Sequence, residues 1–395
     1  MPLPVPLGVE EEESRIMTDP TIKLLRDLVA IDSVNPSLVP GGAGESEIAS
    51  FVAAEMRSIG MDVEVTEVAP GRPNVVGVLD GRARGRSLMF CGHLDTVGVE
   101  RMNKPFDLIE RDGRLYGRGA GDMKGGVAAM IEAARSLANS GGMKEGRLIV
   151  AAVVDEEYAS IGAESLVETW SADAAIVTEP TDLVVSIGHK GFSWVEITTE
   201  GRAAHGSRPL EGRDAILRMG RVLSRLEQLD RQHQSQTPHP VLGTPSLHGS
   251  LINGGRELST YPDRCVLQME RRTITSEATD IALGEAAEIL EALRREDPEF
   301  QGHARLLFNR PPYETPAAHE LPQVLEAAVL GTGRKASRAG MTYWTDAAIL
   351  GQAGIPSVIF GPGGAGYHGL EEYVQIDEVL ACRDALAEVA RTFCA

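Results

Sequence analysis

Histidines and carboxylates that could share a metal ion stand at the ends of apolar runs in this 395-residue chain. The first stretch is Met89-Phe90-Cys91-Gly92-His93-Leu94-Asp95-Thr96. Residues two apart on a strand share a face, so His93 and Asp95 can point the same way. That pairing suits a metal-bound imidazole whose other ring nitrogen is held by a carboxylate, which fixes the tautomer and raises basicity. Alone, it is more often an ordinary polar pair at a strand end. The second stretch is Gly117-Arg118-Gly119-Ala120-Gly121-Asp122-Met123-Lys124-Gly125-Gly126. It lacks the GxxxxGK[ST] order of a phosphate loop. Its glycines let the backbone wrap around one aimed side chain, Asp122, which by itself reads more readily as a helix N-cap.

Three further signals have the same placement. Glu156 and Glu157 follow the apolar run that ends at Val154. Adjacent carboxylates after a buried strand repel unless cations or protons neutralise them. One can bind a metal while its neighbour takes a proton from water. Glu179 ends the run Val177-Thr178-Glu179-Pro180, and His368 closes Gly361-Pro362-Gly363-Gly364-Ala365-Gly366-Tyr367-His368. Each is weak in isolation.

The elements that must position these residues are legible as periodicity. Helical spacing covers 21–31 and 47–59, and β-branched or apolar runs at 63–68, 74–79 and 87–91 read as strands. An alanine-rich helix over 125–139 precedes a strand over 147–154, a helix over 162–169 and a strand over 174–178. This alternation predicts an α/β domain with a mostly parallel sheet covered on both faces. The pattern changes after Val184. Strands over 192–199, 247–253 and 265–271 and helices over 214–229 and 279–294 suggest an inserted α+β domain over 185–299. The first domain then spans 17–184 and 300–395, resuming with a strand from Ala304 and adding helices over 318–330 and 376–393 and a strand over 357–360. Residues 1–16 read as a disordered tail.

All five potential ligands fall in the α/β part, and none falls in the insert. In order and spacing they resemble the M20 metallopeptidase family, which includes acetylornithine deacetylase, succinyl-diaminopimelate desuccinylase, aminoacylases and glutamate carboxypeptidase. The resemblance covers nearly the whole chain after the tail. It is carried by GHLDTV, GRGAGDMKGG, VDEEYASIGAESL, VTEP, GRAAHGSRP and GPGGAGYHGLEEYV. It implies that Asp122 bridges two metals, with His93 and Glu179 on one, and Glu157 and His368 on the other. It implies Glu156 as the base, Asp95 as the partner of the His93 ring, and a cis peptide bond after Asp122. The insert becomes a lid and dimerisation domain. His205 becomes the group that reaches the partner subunit's site and stabilises an oxyanion. Arg272 becomes the holder of a substrate carboxylate, a task suited to a planar fork of donors, and Asn253 a further substrate contact. Ser259 departs from the asparagine that many members carry there, which leaves substrate recognition open. His189, His233, His239 and His248 match no ligand position and read as surface or loop residues.

Nitrogen and oxygen donors without thiolate suit two zinc ions, with cobalt or manganese as substitutes. Two divalent ions set +4 against −3 from Asp122, Glu157 and Glu179, a balance that favours a coordinated hydroxide near neutral pH. The formal charge of the chain is −19 and the pI near 5.0, which argues against nucleic acid or an anionic membrane as partner. No apolar run approaches the ~20 residues of a bilayer span. The acidic stretch at 10–13 does not resemble a secretory signal. Four scattered cysteines suggest neither a disulfide framework nor a zinc knuckle, so a reducing cytoplasm is expected. The resulting expectation is a homodimeric amidohydrolase with small N-acyl amino acid substrates. A carboxypeptidase or dipeptidase would use the same machinery, and a non-catalytic binder on the same fold is the reading from another class.

Overall fold

Helix α1 (Pro20–Ala30) begins where the Asp19 carboxylate accepts the Thr21 amide at 2.8 Å, with proline in the first turn. The computed structural model describes residues 18–395, so the tail expected over 1–16 lies outside the described residues. Helix α2 (Ser46–Ile59) closes on Gly60 in the left-handed conformation. Strands β1 (Asp62–Ala69), β2 (Arg72–Asp80) and β3 (Ala83–His93) follow, then the short β4 (Ile109–Arg111) and β5 (Arg114–Tyr116). A π-turn over Ala120–Lys124 leads into helix α3 (Gly125–Asn139). Next come β6 (Glu145–Val153), α4 (Ile161–Thr169), β7 (Ala174–Val177) and β8 (Val185–His189).

The second stretch holds β9 (Gly191–Glu200), α5 (Ala215–Ser235), β10 (Ser246–Gly254), β11 (Arg264–Thr273), α6 (Ile281–Glu296), β12 (Gln301–Arg310) and β13 (Tyr313–Glu314). The chain closes with α7 (Leu321–Gly331), β14 (Arg338–Met341), α8 (Ala347–Gln352), β15 (Ser357–Ile359), β16 (Gly364–Ala365), β17 (Tyr373–Gln375) and α9 (Ile376–Phe393).

These elements form two units, one made of described residues 18–187, 315–339 and 345–395, the other of 188–314 and 340–344. In the first, the large sheet runs β1-β2-β6-β3-β7-β15-β8. Its central pairings, β6 with β3, β3 with β7 and β7 with β15, are parallel, and its margins are antiparallel. The central strands are buried almost throughout: Leu88, Phe90, Leu148, Val150 and Ile176 join α1, α2, α3 and α9 in one hydrophobic core. That explains why they read as continuous apolar runs rather than alternating ones. A small sheet, β16-β17-β5-β4, accompanies it.

In the second unit a four-stranded antiparallel sheet, β10-β11-β9-β12, buries Val195, Ile197, Leu267 and Met269 against α5 and α6. One boundary differs from the sequence reading. The strand that begins near Ala304 does not return to the first unit at residue 300; as β12 it pairs antiparallel with β9, from Gln301 opposite Glu200 to Arg310 opposite Phe192. The return falls after Glu314. Periodicity identifies a strand but says nothing about which sheet it joins.

Candidate metal centre

Three neighbouring parallel strands deliver the first four side chains. His93 ends β3, Glu156 and Glu157 follow β6 on one side, and Glu179 follows β7 on the other. The carboxyl ends of adjacent parallel strands are where an open α/β sheet leaves a crevice for ligands. Asp122 comes from the π-turn and His368 from the loop between β16 and β17.

Asp122 lies at the middle of the group. Its Oδ1 is 3.2 Å from Nε2 of His93, which is 3.7 Å from Oε1 of Glu179. Its Oδ2 is 3.3 Å from Nε2 of His368, which is 3.1 Å from Oε2 of Glu157. The five side chains thus form two triads sharing one carboxylate, and in each triad the ligand atoms lie within 4.8 Å of one another. The peptide bond between Asp122 and Met123 is cis, and the residue that stands at the start of α3 is Lys124, with no side-chain capping bond, so Asp122 does not cap that helix.

The His-x-Asp pair works differently from its sequence reading. His93 Nδ1 lies 2.9 Å from the main-chain oxygen of Asp95, while the Asp95 carboxylate stands 3.7 Å away. That carboxylate is claimed by other donors: the Glu156 amide at 3.1 Å, the Glu157 amide at 3.2 Å and Asn35 Nδ2 at 2.7 Å. The ring is still oriented with Nε2 towards Asp122, but by a carbonyl. Asp95 instead fixes the turn that aims the two glutamates. Asn35 also donates to Asp155 at 3.0 Å, and Arg72 donates to Asp155 at 2.7 Å and to Glu45 at 2.8 Å.

The charges in the cluster call for cations. Burial pushes Glu156 well above the usual carboxylate range, and the Glu179 charge adds to it. Glu179 is raised in the same way, with burial first and Asp122 contributing. Glu157 is pushed up to about 7 by burial and then by the Asp122 charge. Burial opposes a charged Asp122, but hydrogen bonds from His368 and His93 outweigh it and hold Asp122 well below its usual value. His368 is raised to about 10 by its bonds to Asp122 and Glu157. Burial works against a charged His93, yet Asp122, Glu179 and Asp95 pull it well above its usual value. Three carboxylates and two imidazoles, all but His368 largely shielded from water, stabilise positive charge between them, so the donor set fits two divalent ions.

Sequence reasoning passed over several residues that hold this cluster. Glu372 lies within the closing motif and is buried beneath the Asp122 turn, where its carboxylate accepts the amides of Gly119, Gly121 and Asp122. Lys124 is fully buried, donates to the Ile31 carbonyl at 2.9 Å, and is pushed down to about 7 by desolvation. Asp346, also buried, places its charge near Glu156 and Glu179. Their only sequence signal is a charge among small or apolar residues, which does not say what it faces.

The remaining candidates lie in the second unit. His205 is exposed, with Nδ1 2.8 Å from Ser207 Oγ. Arg272, on β11, donates to Glu270 at 2.7 Å and lies over the Phe192 ring at 5.3 Å. Asn253, on β10, is exposed opposite Val266. Ser259 accepts the Gly206 amide through its carbonyl, a role indifferent to side chain. Two of the four unmatched histidines are not surface residues. His189 is fully buried between Tyr313 and Trp344, with Nδ1 2.9 Å from the Lys190 carbonyl. His233 is buried with Nε2 3.0 Å from Glu285, beside the buried Arg271.

A central parallel sheet whose strand ends, together with the Asp122 turn and the His368 loop, bring two triads onto one shared aspartate makes a candidate two-metal site on an α/β fold. A profile of peptidase family M20/M25/M40 matches residues 89–392. An acetylornithine deacetylase of Myxococcus xanthus is 31% identical over 387 residues, 94% of this chain and 96% of the relative. A tripeptidase of Staphylococcus aureus superposes with TM-score 0.80 at 21% identity, covering 95% of this chain and 98% of that one. A Bacillus subtilis dinuclear metal-binding peptidase of the M20 family gives TM-score 0.74 at 17% identity, with 96% and 99% covered. The chain belongs to peptidase family M20/M25/M40, whose members hydrolyse amide bonds.

Proposed function

We propose that the protein hydrolyses N-acyl amino acids at a two-metal centre held by His93, Asp122, Glu157, Glu179 and His368. The observation that supports this most directly is the split aspartate: one oxygen of Asp122 faces His93 and the other faces His368. Imidazole and carboxylate donors without thiolate favour zinc, with cobalt or manganese as substitutes. When bound, two such ions would polarise the scissile carbonyl and make water a competent nucleophile near neutral pH. Glu156 takes the proton from the attacking water and delivers it to the departing amine, so one amide and one water become one carboxylic acid and one amine, which ionise to carboxylate and ammonium. It belongs to neither triad, so its carboxylate is left for proton transfer.

Acyl substrates are favoured over peptides by sequence identity, which is 31% to the Myxococcus xanthus deacetylase and 21% to the Staphylococcus aureus tripeptidase. A depression beside His368, lined by Val34, Leu38, Val97 and Val99 together with Asp32 and Glu100, would receive a small acyl group. Arg272 would hold the substrate carboxylate and Asn253 a further polar group. His205 would steady the oxyanion in the partner's site, which makes a homodimer with the second unit as lid the working assembly. Four buried unpaired cysteines fit a reducing cytoplasm. Among the described residues, no helix is long and apolar enough to cross a membrane.

The test combines metal analysis with a substrate panel. Protein loaded with zinc, cobalt or manganese is offered N-acetyl and longer N-acyl amino acids beside dipeptides and tripeptides. The expected result is two ions per chain, with kcat/KM for at least one N-acyl amino acid above that for every peptide. Faster peptide cleavage would favour the carboxypeptidase or dipeptidase reading. Two bound ions without turnover of any compound would leave a binding protein.

A further inference from the structure

Two of the three ligands in one triad come from irregular backbone. His368 sits at φ 59° in the loop between β16 and β17, and its side chain is 55% exposed, so core packing does little to fix it. Asp122 sits in the π-turn. Their partner Glu157, like Glu179, follows a buried strand, and His93 ends one. Something else must hold the two loops in register.

We infer that Glu372, working with Arg118, is the positioning residue that sets Asp122 and His368 at the spacing a second metal ion requires. Glu372 Oε1 accepts the amides of Gly121 and Asp122, each at 3.0 Å. Its Oε2 accepts the Gly119 amide at 3.1 Å and the Arg118 guanidinium at 2.7 Å. The other arm of Arg118 donates at 2.9 Å to the carbonyl of Gly369, the residue after His368. One ion pair therefore ties the turn that carries Asp122 to the loop that carries His368.

The small sheet makes this possible. β5 leads into the Asp122 turn, β17 follows Glu372 directly, and the two pair with Tyr116 opposite Tyr373. The approach is close: a Cβ on Gly121 would lie 2.6 Å from the Tyr367 ring and 3.0 Å from the Tyr373 carbonyl. Glu372 and Arg118 are 1% and 2% exposed, so water cannot replace their bonds. Bonds to an ionised acceptor are about twice as strong as neutral ones. Glu372 is not itself a ligand, because donors occupy both its oxygens.

The inference rests on the two-metal reading above. Stepwise calorimetric titration of the metal-stripped full-length protein with Co2+, read alongside the visible spectrum of each added equivalent, separates the two. Wild type is expected to take up two ions. Glu372→Gln keeps shape but loses the charge and one acceptor. It should bind the first ion within about threefold of wild type and the second about 10- to 100-fold more weakly. Arg118→Lys keeps a cation beside Glu372 but drops the tie to Gly369, and should weaken the second ion by a smaller factor. Should circular dichroism show Glu372→Gln unfolded, Arg118→Lys decides alone. Adding Glu372→Gln to His368→Ala, which deletes a second-ion ligand, should weaken the remaining ion no more than about threefold. Wild-type affinities for both ions in these variants, or equal weakening of both, overturns the inference. A wild-type protein that binds fewer than two ions overturns the metal-centre reading, and the inference falls with it.

Discussion

Glu156 and Glu157 are neighbours in sequence, yet their surroundings divide them. The Asp95 carboxylate accepts both amides, which fixes a turn that begins at Asp155 with φ 71°. Glu157 then meets His368 at 3.1 Å, while Glu156 lies in the field of Glu179 and joins neither triad. Replacing Glu156 by Gln should therefore lower kcat by about two to four orders of magnitude while leaving metal content near wild type. Turnover and metal analysis on one preparation check this, and a variant keeping a tenth of the activity would remove Glu156 as the base. The ligand candidates were legible because each stands at a strand end or in a glycine-rich stretch. The residues that aim them were not. Glu372 reaches Asp122 across a separation of 250 residues, and Arg72 reaches Asp155 across 83. Nothing local marks such contacts.

At the scale of elements, long periodic segments were legible and short ones were not. The helix read over 125–139 is α3, and the run read over 87–91 lies inside β3. The small sheet escaped because β4, β5 and β17 have three residues each and β16 has two, too few for a period to register. The buried end of β8 escaped for another reason: a histidine there looks polar in sequence and gives no sign that aromatic rings enclose it. Burial pushes His189 down to about 4 from its ordinary 6.5. Between those values the unfolded chain binds a proton that the folded chain refuses. The His189 contribution is thus complete above about pH 6.5, shrinks as pH falls, and is gone near pH 4. From pH 7 to pH 5 this amounts to about 2 kcal/mol. Urea unfolding of wild type and His189→Phe at both values checks it: the variant should lose about 2 kcal/mol less on acidification. Equal losses would show that His189 accepts its proton in the folded state.

For the whole molecule, the open question is how many chains make one working site. The first unit brings together both triads and Glu156, while His205 belongs to the second unit, exposed, with its ring Nδ1 beside the Ser207 hydroxyl. The alternation of strands and helices made the two-part organisation legible, whereas assembly leaves no periodic trace. We expect an isologous homodimer in which each His205 serves the site of its partner. Two inactive variants distinguish this from action within one chain. His205→Ala spares its own Glu156, and Glu156→Gln spares its own His205. In a mixed dimer the chain lacking His205 borrows it from the partner, so its site is complete, while the other site lacks both groups. With free exchange, half of all dimers are mixed and half of their sites are intact, so about a quarter of wild-type activity should return. If His205 serves its own chain, each site in the mixed dimer lacks one group and activity stays at the level of the separate variants. The measurement is turnover against mixing time, with exchange followed by co-purification of a tagged chain. Full exchange without recovery would assign His205 to its own subunit or remove it from the reaction.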